Sequence, residues 1–158
     1  MINVRPMEDA DQDRVLDLWE RLMAAGAEVD RRWVPAPNGR DIMIGWSRMW
    51  MQRAPFPHGF VAEEGEALLG FIAGAPLGPM PVLNTPPSAR ISDLFVVDDR
   101  RREGIGSALF SAFREAAEGA GFPSLVVSTL FIDERSGTFW TRQGFLPEHV
   151  VLRRPVTP

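Results

Sequence analysis

The chain has 158 residues and a formal charge of −4; all 17 of its basic residues are Arg, and Lys, Cys and Tyr are absent. Those absences exclude a Schiff base, bound pyridoxal phosphate or a P-loop lysine, and also a thiol nucleophile, a disulfide framework, an Fe–S cluster or a Cys-type zinc site. With only His58 and His149, no protein-held zinc site is expected, and no phenol is available as a general acid. The length fits one domain over residues 1–158, mild acidity argues against nucleic acid as a partner, and no run nears the roughly 18 apolar residues of a membrane span. Met1 to Pro6 lack the n-region and h-region of a secretory leader, so a cytoplasmic location is expected.

Residues 2–5 alternate apolar and polar up to Pro6 and read as an opening strand. Glu8-Asp9-Ala10-Asp11 is acidic, as a helix first turn should be, and Val15, Leu18, Trp19 and Leu22 follow at helical spacing until Gly26 caps the end. Residues 27–40 read as irregular. A second helix is expected from Asp41 to Gln52, apolar around most of its circumference, which suits core packing first and a homodimer face second. Phe60-Val61-Ala62 and Ala67 to Ala73 flank Glu63-Glu64-Gly65-Glu66 as a β-hairpin. Five prolines between residues 75 and 90 predict a stiff loop outside the ladder. Ile91 to Val97 reads as a strand, and a third helix carries Ile105, Leu109, Ala112, Phe113, Ala116 and Ala120 until Gly119 and Gly121. Leu125-Val126-Val127 is a short strand, a fourth helix spans Asp133 to Gln143 ahead of Gly144, and Val150 to Leu152 makes a last strand. Early hairpin strands with a late strand–helix–strand crossover predict an α+β fold, a mixed sheet with about four helices on its faces.

One segment carries chemistry: the strand 91–97, then Asp98-Asp99-Arg100-Arg101-Arg102-Glu103-Gly104-Ile105-Gly106, then the third helix. A Gly-rich basic turn feeding a helix N-terminus suits an anion, because successive amides point outward and the helix dipole adds about half a positive charge. Gly104 and Gly106 bring no Cβ between those amides and an oxyanion, and Arg101 and Arg102 offer planar donors. The same residues also suit a plain strand-to-helix turn with a solvated charge cluster. The turn is neither Rossmann, since Leu109 stands at the third glycine, nor a P-loop, since Lys is missing.

Arg101-Arg102-Glu103-Gly104-Ile105-Gly106 resembles the Arg/Gln-x-x-Gly-x-Gly/Ala signature of the GNAT superfamily, the acetyl-CoA-dependent N-acetyltransferases. Phe139-Trp140-Thr141-Arg142-Gln143-Gly144-Phe145 is similar to that family's Phe-Tyr-x-x-x-Gly-Phe segment. The likeness covers roughly residues 2–153, and it implies a mostly antiparallel sheet splayed between strands 91–97 and 124–128. It further implies that the amides of Arg101, Arg102, Glu103, Gly104, Ile105, Gly106 and Ser107 hold the pyrophosphate of acetyl-CoA. The pantetheine arm would pair with Leu94, Phe95, Val96 and Val97, and the amide of Phe95 or of neighbouring Val96 would polarise the thioester carbonyl. Asp133 stands where relatives carry an Asn that meets the pantetheine.

Two positions depart from the pattern. Trp140 replaces the Tyr whose hydroxyl protonates the departing thiolate in many relatives, and an indole N–H does not give up its proton. At pH 7 a thiolate of pKa near 8.5 lies only about 2 kcal/mol uphill, so water, Thr141 or Ser136 would suffice as a relay. After Phe145 about thirteen residues remain, too few for a long terminal hairpin, leaving a last strand that is short, missing or completed by a second subunit. Asp93, alone as an ionisable group in an apolar strand, reads as a base for the acceptor ammonium or as a backbone-fixing carboxylate. Asp30, Arg31, Arg32, Trp33, Trp46, Trp50, Phe56 and His58 fall where relatives place acceptor loops, though His58 itself reads as a turn residue and His149 as a surface one. The expected activity is direct transfer of acetyl to an amine in a ternary complex. A catalytically weak acyl-CoA-binding sensor and a fold-only protein holding a nucleotide are the rivals.

Overall fold

Strands Asn3–Pro6 (β1), Gly59–Glu64 (β2), Ala67–Leu77 (β3), Ser88–Val96 (β4) and Leu125–Val127 (β5) pair in chain order into one mixed sheet. The first three pairings are antiparallel and β4–β5 is parallel. Helices Gln12–Val29 (α1), Gly39–Met51 (α2), Ile105–Gly119 (α3) and Glu134–Arg142 (α4) complete the α+β fold. The structure, a computed structural model, describes residues 1–51, 58–79, 82, 84–129, 134–148, 151 and 154, without the side chains of 47–51 and 134–136. Val150 and Leu152 of the expected last strand, Phe56, His149, the side chain of Trp50 and Asp133 lie outside the described residues, and Val151 is exposed and in no strand. Contacts group the chain into Met1–Ser128, which holds the sheet and α1–α3, and Thr129–Pro158, which holds α4. Among the described residues no helix is long and apolar enough to cross a membrane, and no cluster of metal-ligating side chains occurs.

The hairpin forms where alternation placed it. Glu64 pairs with Ala67 across a two-residue turn, and Gly65 supplies the positive φ of +61° that such a turn demands. β3 and β4 overrun the expected loop, however: β3 continues to Leu77 and β4 starts at Ser88, with Pro76 opposite Ala89. Beyond Gly74, whose amide bonds His58 O at 2.8 Å, β3 has no registered β2 partner. A proline that donates nothing is tolerated at such an edge.

Helix α1 also runs past its expected stop. Its cap is the amide of Asp30 on Gly26 O at 2.8 Å, and a Cβ at Gly26 would stand 3.3 Å from the Trp33 ring. Gly26 is therefore small to admit Trp33, which lies in a single 3₁₀ turn over Arg31–Trp33. The buried face of α1 is Val15, Leu16, Leu18, Trp19 and Met23, and that of α3 is Ile105, Leu109, Phe110, Phe113 and Ala117. Both faces keep the 3.6-residue rhythm, and the two helices bury them against the central strands. In α2, Ile42 and Trp46 are exposed while Met43 is half-buried.

The start of α1 is pinned by charge. Asp11 is 1% exposed; it takes a bidentate pair from Arg5 at 2.6 and 2.9 Å, a third donor from Arg14 at 2.6 Å and the Glu8 amide at 3.0 Å. Arg5 also grips Glu63 at 2.9 Å. One network thus joins β1, β2 and the first turn of α1. The Arg5 guanidinium holds the Asp11 carboxyl below its ordinary value.

Candidate functional site

The site is organised by β4. Its pairing to β5 covers only Ala89↔Leu125, Arg90↔Val126 and Ile91↔Val127, whereas its pairing to β3 continues to Val96. From Ser92 onward one side of β4 therefore has no registered strand partner among the described residues, and among them the sheet is open there. A β-bulge marks the same point: Ala73 pairs with Asp93 but Gly74 pairs with Ile91, leaving Ser92 as the extra residue, its hydroxyl on Ala73 O at 3.2 Å. Bulges commonly re-aim side chains beside active sites.

Hydrogen-bond alternation decides which amides face the opening. The Val97 amide donates to Leu69 O of β3 at 2.9 Å. In an antiparallel ladder every second residue points the same way, so the Phe95 amide also points to β3. The peptide groups of Leu94 and Val96 point to the open side, and Val96 O accepts from Arg101 Nε at 3.1 Å there. Of the two amides that the sequence offers as oxyanion donor, Phe95 and Val96, that of Phe95 is turned toward β3. Its amide belongs to the sheet, its side chain is buried, and Arg21 and Arg101 stack over its ring at 5.4 and 5.7 Å. Val96, the other amide the sequence offered, has the required direction.

The turn after β4 begins with one 3₁₀ turn, Asp98–Arg100. Arg102 then takes φ +70° and Gly104 φ +83°. Glycine suits the second of these; for Arg102 the left-handed region costs on the order of 1 kcal/mol. The first intrahelical bond of α3 runs from the Ala108 amide to Gly104 O at 3.0 Å, so the amides at its entrance lie beyond the reach of intrahelical carbonyls. Arg101 to Gly104 and Ser107 are exposed, Gly106 is half-buried, and Ile105 is buried as the first core residue of the helix.

The three arginines have different attachments. Arg100 is tied to Glu64 at 2.9 Å and to Glu103 at 3.0 Å. Arg101 is tied to Asp98 at 2.6 Å and to Val96 O. Arg102 is exposed and enters no ion pair among the described residues. Of the two guanidinium groups expected at this turn, Arg102 is the one left to meet a ligand.

On the α1 face of the sheet a cavity of about 50 Å³ contains Asp93. Leu16 and Trp19 from α1 and Phe71 and Ala73 from β3 make its apolar walls, and Met7 and Met43 border it. Gln12 and His58 are the other polar groups there. Burial pushes the Asp93 carboxyl above its ordinary value, offset in part by the Ser92 hydroxyl and the charge of Arg90. The sequence marked Asp93 and set His58 among the acceptor-loop positions, while reading it as a turn residue. The signal available was its position one residue ahead of a strand that begins with Gly59 and Phe60, where it extends the ladder through its carbonyl.

Within the second unit, Trp140 is buried and packs edge-on against Phe139 and Phe145, with ring centres 4.9 and 5.3 Å away. The Thr141 hydroxyl donates to Gly137 O at 2.9 Å inside α4.

Residues 15–145 match the acetyltransferase (GNAT) family, and the chain belongs to it. Among solved structures, the aminoglycoside N-acetyltransferase AAC(6′)-Iy in complex with CoA superposes with a TM-score of 0.77 at 16% identity, over 99% of this chain and 95% of that one. A variant of the BH1408 protein from Bacillus halodurans reaches 0.81 at 18% identity, over 98% and 99%. An aminoglycoside acetyltransferase from an uncultured soil metagenomic sample, in complex with sisomicin, reaches 0.70 at 21%, over 99% and 96%. These likenesses establish the fold. No curated protein matches the sequence.

Proposed function

We propose that the protein is an N-acetyltransferase that moves an acetyl group from acetyl-CoA to a primary amine by direct attack in a ternary complex. The observation that carries this reading is the open side of β4 lying next to the positive-φ turn 101–107. An extended arm needs unpaired backbone groups beside it, and a diphosphate needs converging amides. Both occur on consecutive residues here, and family membership supplies the thioester. AAC(6′)-Iy was solved with CoA, which supports the same ligand for this chain.

In this reading the amides at the start of α3 and the Arg102 guanidinium hold the diphosphate, while Leu94 and Val96 align the arm. The Val96 amide donates to the thioester oxygen as negative charge develops on it; one such donor contributes about 3 kcal/mol. Asp93 accepts the proton that makes the amine nucleophilic, directly or through water, and its raised pKa brings it nearer the working range of a general base. The amine nitrogen then forms the C–N bond, the C–S bond breaks, and the second proton that the nitrogen sheds passes through water to the departing thiolate. Without Cys, no acyl-cysteine intermediate can form.

Calorimetry with acetyl-CoA, followed by a turnover screen over amines, tests this. Binding with release of CoA on an amine supports the transferase. The observation that favours a second reading, an acyl-CoA sensor, is the aromatic packing of Trp140 where the family has its acid. Binding without turnover on any amine would select it.

A further inference from the structure

The chemistry of the Asp93 cavity narrows the acceptor. Its walls are Leu16, Trp19, Phe71 and Met43, and Asp93 is the one carboxylate among its described lining residues. Of the carboxylates beside lining residues in sequence, Asp11 is held by Arg5, and Asp17 and Glu20 by Arg40, while Glu8, Asp13 and Asp41 are exposed and do not line the cavity. One carboxylate balances one ammonium. A second or third cationic centre of the same substrate would enter apolar walls without a counter-charge, which is the costly arrangement. The volume sets a further bound. About 50 Å³ is a third of the roughly 150 Å³ that accepts a benzene ring, so the amine end of an unbranched chain enters where a ring does not.

We infer that the acceptor is a primary monoamine on an unbranched alkyl arm, bound through the Asp93 carboxylate and the apolar wall of Leu16, Trp19 and Met43. Polyamines and aminoglycosides are thereby excluded as the preferred class. The inference rests on the acetyl-transfer reading above for the chemistry, though not for the binding.

The test uses the full chain with acetyl-CoA or CoA and four probes: n-butylamine, phenethylamine, spermidine and kanamycin. Release of CoA should favour n-butylamine over spermidine and kanamycin by at least about tenfold in kcat/KM, the least that one uncompensated buried polar group costs. Met43→Ala, which widens the cavity from a half-buried position, should raise phenethylamine relative to n-butylamine. Calorimetry on the CoA complex supplies a readout independent of turnover: n-butylamine should bind, and Asp93→Asn should weaken it about tenfold or more. Preference for spermidine or kanamycin in either assay overturns the inference and leaves the transferase intact. Binding of n-butylamine without any turnover overturns the transferase and leaves the monoamine site standing. Failure of n-butylamine to bind the CoA complex overturns the site itself.

Discussion

At the scale of single residues, Asp93 sets function against stability. Its carboxyl is raised by burial, so the folded chain holds that proton more tightly than the unfolded chain does. Stability from this group is therefore greatest in acid and declines as pH rises from the ordinary carboxylate range through the raised value. Asp93→Asn should melt at a higher temperature than the parent at neutral pH, with the gap closing toward acid, as scanning calorimetry at several pH values would read. The same variant should lose about 10²-fold or more in kcat/KM, the usual worth of a positioned general base. A melting gap that widens toward acid would contradict the assigned direction. Val96 gives the second residue-scale prediction. Its peptide group faces away from β3, so Val96→Pro deletes one amide without removing a β3–β4 hydrogen bond. Turnover should fall by about 10²–10³-fold with the fold retained by circular dichroism, whereas Phe95→Leu, which keeps every amide, should cost far less in rate.

At the scale of elements, the Asp11 network is the joint. It ties β1 and β2 to the first turn of α1, and α1 walls the Asp93 cavity. Removing one partner of a buried pair costs about 3–5 kcal/mol; because Arg14 is 43% exposed and well screened, the lower end applies. Asp11→Asn should thus lose about 3 kcal/mol by urea unfolding. Asp11 works in the opposite direction to Asp93: with its pKa lowered by Arg5, its contribution is present above the ordinary carboxylate value and vanishes as pH falls through the lowered one. The parent's stability advantage over Asp11→Asn should therefore shrink in acid. This joint was half legible. The acidic run Glu8 to Asp11 announced a helix start, but nothing local told a solvated first-turn carboxylate from a buried one, since Arg5, which binds it, and Glu63, which also binds Arg5, come from two strands. The same limit explains the other misses. Gly26 looked like a cap because the ring of Trp33, which demands its smallness, arrives by tertiary folding. Residues 75–90 looked like a loop because proline is judged against a ladder, and only the topology reveals that β3 is an edge beyond Gly74. The strand from Ile91 to Val96, the turn and α3 were legible, because a Gly-rich turn between two periodic segments is specified by neighbours in sequence. Phe95 and Val96 both stayed open as the donor because strand alternation states which residues share a side, not which side meets the partner strand. That phase is set by the β3–β4 register.

For the whole molecule, net charge and local charge oppose each other. The chain is acidic overall, at −4, yet the turn after β4 carries three consecutive arginines, two of them held by Glu64, Glu103 and Asp98. A polyanion is therefore drawn by Arg102 and the amides at the entrance to α3 rather than by the protein's overall field, so binding should depend on salt with the shallow slope of few phosphate contacts. Acetyl-CoA at about a hundred times its Kd adds about 2.7 kcal/mol to the native state, equivalent to roughly 5–10 °C in melting temperature for a chain of this size. Arg102→Gln should leave the ligand-free midpoint nearly unchanged and weaken acetyl-CoA by about tenfold, the scale of one charge-assisted hydrogen bond. ATP should give a much smaller shift than acetyl-CoA at equal concentration, because it offers phosphates to the turn but no arm to the open side of β4. Equal shifts from the two ligands would mean that the turn binds phosphate alone and that the unpaired edge of β4 takes no part.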